Sequence, residues 1–120
     1  MLTRILHVTT SMNPELGGVC QAIRTLIKGL EDLNVQNEVV CLDVPGVEFI
    51  KADHFPVHAI GPAAGPWAYN SALSPWLFTN VSRFNVIILH GLWLYPNYAI
   101  RKALLKYQKK RTSGSVQKYL

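Results

Sequence analysis

The chain has 120 residues, 49% of them hydrophobic and 16% charged, the balance of one globular domain with a core of its own and not of a disordered segment. Its formal charge of +5 is unevenly placed: all seven acids precede residue 54, while Arg101, Lys102, Lys106, Lys109, Lys110, Arg111 and Lys118 fall where there is no acid. No apolar run reaches the roughly 18 residues of a spanning helix, and the first residues, "MLTRILHVTT", lack the apolar stretch and cleavage site of a secretory signal, so a cytoplasmic location is expected.

The first element is "RILHV", Arg4 to Val8, apolar nearly throughout, as a strand buried on both faces is. A polar loop, "TTSMNPEL", follows. From Val19 the period changes, and Val19, Ala22, Ile23, Leu26, Ile27, Leu30 and Leu33 trace one apolar stripe of a helix ending near Leu33–Asn34. "NEVVCLD", Asn37 to Asp43, is a second strand. A crossover of this length makes the two strands parallel and their connection right-handed.

Pro45, Gly46, Pro56, Gly61, Pro62, Gly65 and Pro66 break the next stretch into short pieces, with a third strand fitting best at Val57 to Ile60. "GPAAGPWAYNS" reads as a mobile loop. Ser74 to Phe84 predicts a helix with Ser74 as N-cap and Pro75 in its first turn. "NVIILH", ending at His90, is the fourth strand, and a helix runs from about Tyr98 to Lys110 with Ile100, Ala103, Leu104 and Tyr107 on one face. The pattern is α/β: a Rossmann-like, mostly parallel sheet with flanking helices over residues 1–110, and a tail at 111–120. In such sheets ligands bind beyond the carboxyl ends of the strands, where the loops 9–18 and 90–97 lie.

Four groups of residues are candidates for chemistry. Gly17 and Gly18 open the first helix, where free backbone N–H groups and the helix dipole suit a phosphate, although neither the dinucleotide fingerprint nor a Walker loop is present. His90 ends the best core strand, where an imidazole can act as a base, bond a sugar hydroxyl or line a pocket. Trp93 and Tyr95 follow it and could stack on a sugar ring or cover the core. His7, inside the first strand, reads as structural, and His54 and His58 share no spacing with other ligand types. Cys20 and Cys41 read as buried thiols, with no metal-ligand spacing.

Together these stretches resemble a family. "RILHVTTSMNPELGGVCQAIRTLIKGLEDLNVQNEVVCLD" and "SRFNVIILHGLWLYPNYAIRKAL" are similar to the N-terminal domain of family 4 glycosyltransferases, retaining enzymes with the GT-B fold, over about residues 2 to 108. The resemblance implies that Gly17 and Gly18 face the donor pyrophosphate and that His90 reaches toward the transferred sugar and the acceptor. It implies a nucleotide-sugar donor as substrate, no metal or other cofactor, and a glycan or lipid-linked acceptor. Two positions depart from the family: Asn85 stands where an acid is common, and Ile88 where a second histidine is.

A GT-B enzyme also needs a second Rossmann-like domain, which holds most of the donor pocket. The expectation is therefore an incomplete N-terminal, acceptor-side domain, inactive alone because transfer needs donor and acceptor held together. A separate C-terminal half is the partner this implies. The alternative is a non-catalytic α/β module that binds a partner chain through "GPWAYNSALSPW". The basic C-terminal end suits peripheral contact with the inner face of a membrane. It lacks the interleaved aromatics of a nucleic-acid surface, so no nucleic-acid partner is expected.

Overall fold

A computed structural model of the chain describes residues 3–16, 18–63, 70–90 and 99–105. Four strands, β1 (Arg4–Val8), β2 (Gln36–Cys41), β3 (Val57–Ala59) and β4 (Val86–Leu89), form one sheet in the order β3-β2-β1-β4, every neighbouring pair parallel. Each link carries a helix: α1 (Gly18–Glu31) between β1 and β2, the single turn α2 (Glu48–Lys51) between β2 and β3, and α3 (Leu73–Asn80) between β3 and β4. Residues 99–105 are helical as well. The architecture is α/β with a parallel, Rossmann-like sheet, as the alternation of periods predicts.

The sheet separates two cores. On one face Leu6, Val8, Val40, Leu42 and Ile87 pack with Leu73, Leu77, Val81 and the helix at 99–105, through Ile100, Ala103 and Leu104. On the other, Val39 and Cys41 pack with Cys20, Ile23 and Ile27 of α1, with Met12 of the β1–α1 loop and with Phe55. β1 has partners on both edges and core on both sides, which is why its sequence is apolar at successive positions.

Three expectations need correction. The stripe on α1 is narrower than its sequence period: Cys20, Ile23 and Ile27 are buried, whereas Val19, Leu26 and Leu33 are 49%, 39% and 73% exposed. A single helix lying on a sheet hides only a strip one or two residues wide, so the flank of a broad stripe stays in water. The helix also stops at Glu31. Asn34 takes a left-handed backbone (φ 62°), Val35 N–H donates to Leu30 O at 3.1 Å and Asn34 N–H to Glu31 O at 3.0 Å, a Schellman closure.

The third correction concerns Ser74, which is not an N-cap. The helix begins at Leu73 after Ala72, with no side-chain cap. Asn70 sets its start instead: Oδ1 accepts from Ala72 N–H at 2.9 Å, and Nδ2 donates to the carbonyls of Ile60 and Pro62. Pro75 does fall in the first turn. The loop expected at 61–71 lies partly outside the described residues, as do Tyr107 and the tail.

Polar clamps tie the helices down. Arg24 of α1 grips Asp53 with two bonds of 2.9 Å and reaches the Phe49 carbonyl, fixing α1 to the segment around α2. Glu38 of β2 accepts from both Arg83 and His58, and the Arg83 guanidinium helps hold the Glu38 carboxyl below its ordinary range against the cost of burial. His54 pairs with Glu31. These two histidines are thus used structurally. Both cysteines are buried free thiols, and burial pushes Cys41 up to about 12.

One glycine is required by close approach. Ile60 and Gly61 N–H donate to the carbonyls of Cys41 and Asp43, and a Cβ on Gly61 would overlap the Leu42 carbonyl and lie 2.8 Å from Asp43 O. Gly61→Ala is expected to lower the unfolding free energy by about 2 kcal/mol or more. Gly29→Ala, where a Cβ meets nothing within 4 Å, is expected to raise it by roughly 0.5–1 kcal/mol. Urea unfolding of the two variants checks both signs.

Candidate functional site

The order β3-β2-β1-β4 makes β1 and β4 the point where the chain changes direction across the sheet, and the crevice beyond their carboxyl ends is the place for a ligand in such folds. The loop after β1 borders it and is tied to the sheet: Thr9 N–H donates to Val40 O, Leu42 N–H to Thr10 O, and Asp43, just past β2, accepts from Ser11 Oγ at 2.6 Å and Met12 N–H at 2.7 Å. Asn13 then turns the chain into the short 3-10 segment Pro14–Leu16 by accepting from Glu15 N–H. Asp43 therefore spends its carboxylate on the loop that leads into α1.

Gly18 is the first residue of α1, exposed, with nothing within 4 Å of a built Cβ and no need of a left-handed backbone. Among the described residues, packing gives no reason for a glycine there. Gly17, Trp93 and Tyr95 lie outside the described residues.

His90 follows β4 directly, its N–H donating to Val8 O at 2.9 Å, so it continues the β1–β4 ladder at the carboxyl edge. The register pairs His7 with Ile88 and with Val39. His7 and His90 are therefore on the same face of the sheet, one step apart on adjacent strands. Their rings lie side by side, with centroids 5.3 Å apart and planes at 25°, and His7 Nδ1 lies 3.1 Å from His90 Nε2. The other nitrogen of His7, Nε2, lies 2.9 Å from Asn37 Oδ1, and Asn37 Nδ2 donates to the Val35 carbonyl at 3.1 Å. His7 is fully buried and His90 half-buried.

The structure thus gives His90 a histidine partner that sequence reasoning missed. Ile88 occupies the position two before His90, and the second imidazole comes from β1 instead. A signal was present: an imidazole in a strand buried on both faces needs polar partners, and only a residue on a neighbouring strand could supply them.

Both imidazoles are poor proton acceptors. Burial lowers His7, against the hydrogen bond it donates to Asn37, which raises it. Burial also brings His90 down to about 4, and His7 pushes the same way. Near neutral pH the pair carries no charge and exchanges hydrogen bonds only. Among the described residues no group of three or more His, Cys, Asp or Glu could hold a metal ion, and no helix is long and apolar enough to cross a membrane.

No protein-family model matches this chain, and neither the curated proteins nor the solved structures yield a match.

The pair makes stability depend on pH in a defined direction. At pH above 6.5, the ordinary imidazole value, folded and unfolded chains hold both rings neutral. Below it the unfolded chain binds protons that the native chain refuses down to about pH 4 for His90. Stability is therefore expected to fall as the pH is lowered through that window. Replacing His90 by Leu removes one refusing group and is expected to flatten the slope, as read from urea midpoints across the window.

Proposed function

We propose that this chain forms the acceptor-side, N-terminal part of a retaining glycosyltransferase, with the crevice beyond β1 and β4 as its share of the site. The observation that carries the reading is the position of His90: a neutral imidazole at the carboxyl edge of a parallel sheet, where the strand order reverses. The start of α1 supports it, because among the described residues nothing packs against Gly18 and a helix start can offer N–H groups to a phosphate. The resemblance to family 4 enzymes supplies the chemistry: transfer of a sugar from a nucleotide-sugar to a glycan or lipid-linked acceptor, in the cytoplasm at the inner face of a membrane. Donor binding would then be shared with a second domain or a separate chain, and the 120 residues alone would not turn over.

A second reading, a module that docks a partner chain, draws on a specific observation. Val19 and Leu26 of α1 are exposed, and on the same face of the sheet Val86 and Ile88 of the edge strand β4 are only half-buried. Apolar surface of this kind suits a protein interface.

Calorimetric titration with UDP- and GDP-sugars tests the first reading. Weak, saturable binding is expected, on the millimolar scale of half a site (about −4 kcal/mol). It is expected to vanish in Gly18→Trp, whose side chain closes the start of α1, and to persist in Gly18→Ala. A folded chain that binds neither nucleotide-sugar nor a pyranoside would overturn the reading, as would binding indifferent to the tryptophan.

A further inference from the structure

The hydrogen bonds around His7 have a direction, and one backbone carbonyl sets it. The Val35 carbonyl can only accept, so the group that Asn37 turns toward it at 3.1 Å is its NH₂. Asn37 Oδ1 then faces His7 and can only accept, so His7 carries its proton on Nε2. The remaining nitrogen of His7, Nδ1, is left with a lone pair. His90 Nε2, 3.1 Å from it, must donate. A neutral His90 therefore has its proton on Nε2 and a lone pair on Nδ1. Among the described residues Nδ1 meets no hydrogen-bond partner, and no fully buried side-chain nitrogen or oxygen there is left without one, so Nδ1 is not fully buried.

We propose that His7 is the positioning residue of this site: it fixes the proton of His90, so that His90 offers the crevice a hydrogen-bond acceptor and no donor. The group received at Nδ1 is then a donor, a hydroxyl or an amide N–H. A sulfate, phosphodiester or carboxylate oxygen, which can only accept, would find a lone pair facing it. This divides the crevice chemically, with anion-compatible N–H groups at the start of α1 and a hydroxyl-selective wall at His90. The inference deepens the sugar-transfer reading and rests on it for the identity of the ligand; the tautomer rests on geometry alone.

The geometry also explains why the partner is a histidine. An imidazole at position 7 is an acceptor toward His90 and a donor toward Asn37 at the same time, through two ring atoms on opposite sides. Phenylalanine fills a similar volume and does neither.

Long-range proton–nitrogen NMR correlations of the full chain, without ligand, read the tautomer directly. In the wild type His90 Nε2 is expected to appear protonated and Nδ1 bare, as two well-separated nitrogen signals. In His7→Phe the two signals are expected to move toward a common averaged position. Asn37→Leu acts one link further back and gives the same readout if His7→Phe fails to fold. A wild-type His90 protonated on Nδ1, or already averaged, would overturn the proposal, as would a folded variant that keeps the wild-type pattern. Because no sugar is present, failure here is distinct from failure to bind a sugar.

Discussion

An imidazole buried at the centre of a parallel sheet must have both ring nitrogens bonded, and in this protein that requirement joins the elements of the site. Leaving either nitrogen of His7 unpaired would cost about 1–3 kcal/mol, a large share of the stability of a small domain. The two bonds that prevent it run sideways, to Asn37 on β2 and to His90 after β4. They bind three adjacent strands through side chains as well as through the backbone ladder. The chain of bonds starts at Val35, whose own N–H closes the end of α1 on Leu30 O. The orientation of a ring at the carboxyl edge of the sheet is thus linked to the place where α1 stops.

A second set of bonds holds the opposite wall. Asp43 restrains the loop after β1 with two short bonds, Met12 sinks fully into the core beneath α1, and Cys20 Sγ donates to the Asn13 carbonyl. The loop that leads into α1 and the imidazole of His90 are thus each held by hydrogen bonds to neighbouring parts of the sheet. Preorganisation of this kind lowers the ordering cost of binding.

The α/β class, the parallel pairing and the approximate strand ends were legible because β1 and β4 are short, mainly apolar runs, while α1 repeats every three to four. His90 was legible from its place at the end of the strongest strand. His7 was not, since its role depends on register, and a single sequence does not say that residue 7 stands beside residue 88. The stripe on α1 misled because hydrophobic period reports which side of a helix faces the sheet, not how much of that side the sheet covers. Ser74 misled for a related reason. A capping residue type was present, but Asn70, four positions earlier, already held the turn through three bonds, two of which depend on the distant segment Ile60–Pro62.

The central claim is that a neutral His90, aligned by His7, receives a sugar hydroxyl in the crevice between β1 and β4. The most direct measurement is the Nδ1 nitrogen shift of His90 during parallel titrations with methyl pyranosides and with sulfate, above pH 7. A saturable shift of Nδ1 with a pyranoside, and none with sulfate, is the result this account predicts. A Nδ1 signal that ignores every pyranoside, or one that responds to sulfate, would contradict it.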